Sequence, residues 1–560
     1  VIAWLARQPW SNGNVGMTGI SWGGFNALQM ASRRPPALKA IIAVHATEQL
    51  FHDDIHYIDG IMHADEFELG MDQELQMTEP PEFPTDARHV APRFDSPPWF
   101  PLYLHHQRDA EFWRASIAQP VCDSIQIPVY LIGGFYDGYR DTIPRMMKCL
   151  KSPVKAMLGP WNHTYPNDAS PGPEFEWRES AVRWWDRWLK DIHNGIENEP
   201  RLTIYMRRWY PPDPNLAQIP GEWRSENSWP PADTQEKSLY LAANHALNSD
   251  APAGAATFDR LKYVPSAGVE AGFWWGELTN DQRPTDAFSL VYDSPPLDQE
   301  IAILGLPRVV LNASASAPLA DFIGRLSDVA PDGTTTLITG AGINAAQRES
   351  DSDPKDLELG RIYPLQVNMH VTSWIFPRGH CIRIAISNAL WPMLWPTPCA
   401  MTTSLSLGGE NASRLVLPVV PTHNLASAPF PPSAKDPELP GFAHKGGTWP
   451  GFYQLVRDEV RRTSRVSWHS DSQAIFPWGK EDFHEELSYT AVDDHPENSA
   501  FTGAAETKVS LKNRVVSFKS KLILRSDARN FYYSYERDLL ENGRVIRTKN
   551  WKETIPRDHQ

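Results

Sequence analysis

The chain has 560 residues, too many for a single hydrophobic core, so about three or four domains are expected. Its 41% hydrophobic and 22% charged residues are ordinary for a folded globular chain, and no apolar run approaches the about 18 residues of a membrane span. A net charge of −15, spread along the sequence, argues against nucleic acid as a partner.

Val1-Ile2-Ala3-Trp4-Leu5-Ala6 opens inside an amphipathic helix, expected to end near Pro9. There is no initiator Met and no targeting segment, so we expect the true N-terminus to lie upstream, and compartment is left open. Asn14-Val15-Gly16-Met17-Thr18 reads as a short buried strand, and Gly24 to about Arg34 as a helix stopped by Pro35-Pro36. Between them stands Gly19-Ile20-Ser21-Trp22-Gly23. A G-x-S-x-G between strand and helix is the nucleophile elbow of α/β-hydrolases. The turn lifts the Ser21 hydroxyl clear of the backbone, and Gly19 and Gly23 are expected to be glycine because a Cβ at either would collide across it. The amide of Trp22, at the helix N-terminus, would be an oxyanion donor.

Lys39 to Val44 is a continuous apolar run, as a buried parallel strand should be. His45 follows it and reads as a satisfied structural histidine. From about Thr47 to Pro120 the pattern turns to Met- and Glu-rich helical stretches and a Pro-rich loop, which suits a helical cap over the strand ends. Its His52, Asp53 and His56 have a spacing that would suit zinc but is common on loops, and no metal or cofactor is expected. Tyr57 in this insertion, and Trp161 beyond it, are the residues expected to line a substrate pocket.

Ile127 to Gly134 returns to the buried-strand pattern, followed by Phe135-Tyr136-Asp137-Gly138 and a helix over about Asp141 to Leu150. Lys155 to Gly159 is the next strand, and Pro160-Trp161-Asn162-His163 leaves its end. A long amphipathic helix covers about Glu174 to Ile192. Asp137 and His163 thus lie just past consecutive strand ends, where open α/β sheets carry their chemistry. The order Ser21, Asp137, His163 is the order of the hydrolase triad: nucleophile, orienting acid, general base. Asp141, the nearest rival for the acid, opens a helix and reads as its N-terminal charge or cap.

After about Arg201 short strand-like segments recur with turn signals between them, including Leu202 to Met206, Leu239 to Leu241, Ile301 to Leu304, Arg308 to Leu311, Leu365 to Met369 and His380 to Ser387. No stretch of helical length stands out, so an all-β sandwich of jelly-roll type is expected. Residues 426 to 560 are also β-rich and read as an appended sheet, with the aromatics of Phe531 to Tyr535 as core. The 22 Trp and 50 Pro suit both aromatic pockets and Pro-punctuated β-turns. Cys122, Cys149, Cys381 and Cys399 show no C-x-x-C or metal spacing and read as buried free thiols, a Cys381–Cys399 bridge being the alternative.

Taken together, Gly19 to Gly24, Gly134-Phe135-Tyr136-Asp137-Gly138 and Gly159-Pro160-Trp161-Asn162-His163 resemble the CocE/NonD hydrolases. That family includes cocaine esterase, α-amino-acid ester hydrolases and X-Pro dipeptidyl peptidases. Glu222-Trp223-Arg224, Trp229-Pro230-Pro231 and Pro377 to Ser387 resemble its C-terminal jelly roll, and the likeness spans about residues 1 to 420. It implies an α/β-hydrolase domain incomplete at its N-terminus (1–46 and 121–205), a helical cap insertion (47–120), a jelly-roll β-sandwich (206–425) and a β-rich extension (426–560). It also implies a serine hydrolase cleaving an ester or amide of a small acyl substrate through an acyl-enzyme. An X-Pro dipeptidyl aminopeptidase and an inactive β-rich binding protein are the alternatives. The family usually has Tyr where Trp22 stands, and its second oxyanion donor, a Tyr hydroxyl, comes from a loop upstream of the elbow. Its acidic cluster for an α-ammonium lies partly beside the acid, where this sequence has Gly138-Tyr139-Arg140. Small-molecule esters or amides are the expected partners, with no nucleic acid, no membrane and no assigned oligomeric state.

Overall fold

A computed structural model of the chain describes residues 1–63, 68–77, 82–409, 412–422, 425–426, 431–434, 436–446 and 453–560. Its first layer is a sheet built on strands β1 (Val15–Ile20), β2 (Leu38–Val44), β3 (Val129–Gly134), β4 (Val154–Gly159), β5 (Leu202–Arg207) and β6 (Gly221–Glu226), in that spatial order. The first five run parallel, with Ile20 beside Val44, Val44 beside Ile132 and Gly134 beside Gly159. β6 turns back antiparallel on β5. The central strands are apolar and buried on both faces, as parallel strands under helices must be.

Helix α1 (Trp22–Ser32) follows β1 and packs on the sheet through Phe25, Ala27, Leu28 and Ala31. It ends before Pro35, as expected. The insertion after β2 carries α2 (Glu68–Gln76), α3 (Ala87–Phe94) and α4 (Phe100–Leu104). Then α5 (Thr142–Cys149) joins β3 to β4, and α6 (Arg178–Lys190) joins β4 to β5. The last is shorter than the periodicity suggests, because Gly172 and Pro173 lie in a stretch of extended chain that bonds to Ala217 and Ile219. Past residue 206, where the sandwich was expected to begin, β6 at 221–226 extends the first sheet by pairing with β5, and Leu425–Ala426 pairs on its far side. Main-chain pairing decided that, and strand-like composition could not.

The second layer is a large, mostly antiparallel sheet running from Gln235–Ala242 to Arg414–Val420, helix-poor among the described residues. The third is an antiparallel meander of six strands from Thr463–Phe476 to Arg544–Pro556, each 12 to 14 residues long, with two short strands at one edge. Burial alternates along the strand Asn530–Glu541: Phe531, Tyr533 and Tyr535 are buried while Tyr532 is 37% exposed. The inner face closes on the insertion. Phe51, Tyr57, Phe100 and Trp113 form one apolar cluster with Trp468, Tyr489, Phe531 and Tyr533. Below it the Arg537 guanidinium binds the Asp72 carboxylate of α2 through Nε (2.8 Å) and Nη2 (2.5 Å), and its Nη1 donates to the carbonyls of Phe94 and Ser96.

The cysteine expectation is corrected. Cys122 and Cys149 form a disulfide, their Cα atoms 5.3 Å apart, tying the end of the insertion to the end of α5. Cys381 and Cys399 are free and half-buried. The pairing depends on two chain ends that fold together, which no local spacing encodes. No helix among the described residues is long and apolar enough to cross a membrane.

Candidate active site

The candidate residues gather at the carboxyl ends of four adjacent parallel strands. Ser21 is the residue after β1 and the N-cap of α1. Its φ of 56° and ψ of −125° lie where non-glycine residues are strained by about 1–3 kcal/mol. Its hydroxyl caps none of the helix amides, so it is left for other use. The tightness of the turn rests on Gly19: a Cβ there would lie 2.6 Å from the Gly23 backbone. Gly23 itself does not fit the expectation, since a Cβ on it would meet nothing within 4 Å; what the turn needs at that position is a backbone close to Gly19. Gly24 is constrained instead by Ala46 and the Val44 carbonyl, each 2.8 Å from its would-be Cβ.

Asp137 lies three residues past β3 and is fully buried. One carboxylate oxygen accepts the amide of Tyr139 at 2.7 Å, opening the short 3-10 helix Gly138–Asp141. The other accepts from His163 Nδ1. Burial pushes this carboxyl up, but His45 and His163 outweigh burial and hold it well below the usual carboxylate range. An imidazole that gives Nδ1–H to a buried carboxylate keeps Nε2 as a free base. The loop bearing His163 returns toward β2, where the Thr164 carbonyl accepts from His45. Tyr139 joins the parts, set edge-on to Phe25 of α1 at 5.0 Å and to His163 at 5.6 Å.

Asp141, expected as a helix N-terminal charge or cap, stands at the N-cap of α5, but its side chain caps no amide of that helix. Its carboxylate binds His370 Nδ1 and the Val371 amide, each at 2.7 Å, which ties this corner to the second sheet. His52, Asp53 and His56 diverge: His52 bonds to Asp351, Asp53 to Arg145, and His56 approaches Asp54. The two expected pocket residues are core. Tyr57 is 1% exposed between Phe51 and Trp113, its hydroxyl directed at the Tyr103 carbonyl. Trp161 is fully buried between Phe175 and Trp223, with its indole N–H on the Pro173 carbonyl. Both are too well packed to line an accessible pocket.

The side chains that do flank the site come from farther away. Trp22, 39% exposed, faces Trp99 of the insertion at 5.5 Å. Trp274, from the second layer, lies 5.2 Å from Tyr139 and 6.3 Å from His163. A Cβ on Gly138 would strike Trp274 at 2.2 Å, and one on Gly276 would approach the Asp137 Cα at 2.8 Å, so the two loops fit only as glycines. The run Phe273-Trp274-Trp275-Gly276 was the available signal for this contact.

Comparison with known proteins agrees with the motifs. The family model of the X-Pro dipeptidyl-peptidase (S15 family) matches residues 1–165, and that of the X-Pro dipeptidyl-peptidase C-terminal non-catalytic domain matches 194–420. Cocaine esterase of Rhodococcus sp. (strain MB1 Bresler) is 24% identical over 487 residues, covering 75% of this chain and 83% of that protein. A solved CocE/NonD family hydrolase from Staphylococcus aureus shares the fold with a TM-score of 0.59 at 16% identity, over 75% of this chain and 74% of that one. The chain belongs to the CocE/NonD family of hydrolases. A putative Xaa-Pro dipeptidyl-peptidase of Bacillus anthracis is also similar, at 22% identity over 68% of this chain and 60% of that protein. Both matched segments stop by residue 420, so the long meander lies outside the two X-Pro dipeptidyl-peptidase models.

Proposed function

We propose that this CocE/NonD chain is a serine hydrolase that cleaves an ester, and less readily an amide, of a small acyl substrate through an acyl-enzyme on Ser21. The arrangement is an α/β-hydrolase domain with a cap, followed by a jelly-roll domain and an extension. The observation that carries the reading is the buried Asp137 bonded to His163 on the strand edge where Ser21 sits in an elbow conformation.

His163 Nε2 takes the Ser21 proton as Oγ attacks the substrate carbonyl. The tetrahedral oxyanion faces the Trp22 amide at the N-terminus of α1, whose dipole favours negative charge. His163 then gives the proton to the leaving alcohol or amine. Asp137 holds the Nδ1–H tautomer and offsets the imidazolium. Water, activated by the same His163, hydrolyses the acyl-enzyme. Trp22, Trp99 and Trp274 bound the acyl side with aromatic surface.

A fluorophosphonate should label the chain at Ser21 and leave Ser21→Ala unlabelled, and Ser21→Ala should lower kcat on a p-nitrophenyl ester by about a million-fold at unchanged melting temperature. Labelling elsewhere, or turnover that survives the substitution, refutes the assignment. An X-Pro-anilide substrate separates peptidase from esterase: slow turnover relative to the ester is expected.

A further inference from the structure

The Asp137 carboxylate is approached by a second imidazole. His45 follows β2 directly, is fully buried in its side chain and has a φ of 44°. Its Nε2 lies 2.8 Å from the carbonyl of Thr164, the residue after His163. A carbonyl only accepts, so Nε2 carries the proton. Its Nδ1 stands 3.1 Å from Asp137 Oδ2, the same oxygen that receives His163 Nδ1–H, but off the line of a hydrogen bond. The two rings lie 5.3 Å apart. One nitrogen thus grips the loop of the general base, and the other faces the acid at ion-pair distance.

We propose that His45 is a positioning residue for the His163–Asp137 pair, holding the Thr164 carbonyl so that the His163 loop is fixed against the acid. The proposal rests on the triad reading above.

The test compares His45→Ala with His45→Gln in the full chain. A glutamine amide can still donate to the Thr164 carbonyl but cannot titrate. For His45→Ala, kcat should fall roughly 10- to 100-fold with KM changed less than about threefold, as for a misplaced base. His45→Gln should recover most of that kcat. A His45→Ala enzyme with wild-type kcat, or a His45→Gln enzyme as slow as His45→Ala, overturns the positioning. Should His45→Ala fail to fold by circular dichroism, His45→Leu, which keeps bulk and removes the donor, takes its place with the same expected outcomes. Fluorophosphonate labelling of the unaltered chain keeps the two readings apart: loss of labelling at Ser21 sinks the triad, whereas labelling with indifferent His45 variants sinks only this inference.

Discussion

The strand ends that carry Asp137 and the long meander that carries Arg537 both bury a carboxylate, and they use it in opposite ways. Asp137 faces two imidazoles, groups whose charge can change near neutral pH. Asp72 faces a guanidinium and a phenol, Arg537 and Tyr535, which keep their protonation states over the same range. A buried carboxylate with a titratable partner can move a proton. One with a permanent cation can only fix geometry. The molecule keeps the first kind at the edge of its parallel sheet and the second kind where the meander grips the insertion that supplies Trp99.

The sharpest break in that comparison is Asp137→Asn. It keeps the shape and removes the charge, so kcat should drop about ten-thousand-fold while the melting temperature stays within a few degrees. Steady-state kinetics with thermal unfolding checks this, and a large loss of stability instead would make Asp137 a structural anchor like Asp72. Next is Arg537→Ala, which leaves Asp72 buried without its cation and removes donors from the Phe94 and Ser96 carbonyls. Chemical denaturation should show a loss of about 3–5 kcal/mol, with kcat of the folded protein changed by less than tenfold. If kcat collapses while stability holds, the meander acts on the chemistry directly. The smallest effect is expected for Gly503→Ala. The added Cβ would meet Leu69 at 2.3 Å and Leu487 at 2.7 Å, both ends of flexible side chains, so the cost should be about 1–3 kcal/mol with unaltered labelling of Ser21. A neutral substitution would mean that α2 is not pressed against the meander.

Reading the chain as sequence located the central strands 38–44, 129–134 and 154–159 because each is a short, largely apolar run. Ser21, Asp137 and His163 each stand just past a strand, as read. Tyr57 and Trp161 read as pocket lining, since an aromatic residue near a motif looks the same whether it lines a pocket or fills a core. Asp141 does open its helix, but the partner of its carboxylate, His370, lies some 230 residues away in the chain, where local pattern cannot see it.

Local pattern, then, determined which segments are strands, which serine sits at an elbow, and that the second half is β-rich, because hydrophobic period and turn chemistry act within a few residues. The tertiary structure alone decided that 221–226 extends the first sheet, that Cys122 meets Cys149, that Trp274 reaches His163, and that His45 faces Asp137. Each of these joins segments far apart in the chain, through burial and hydrogen-bond satisfaction that exist only once the layers have closed on one another.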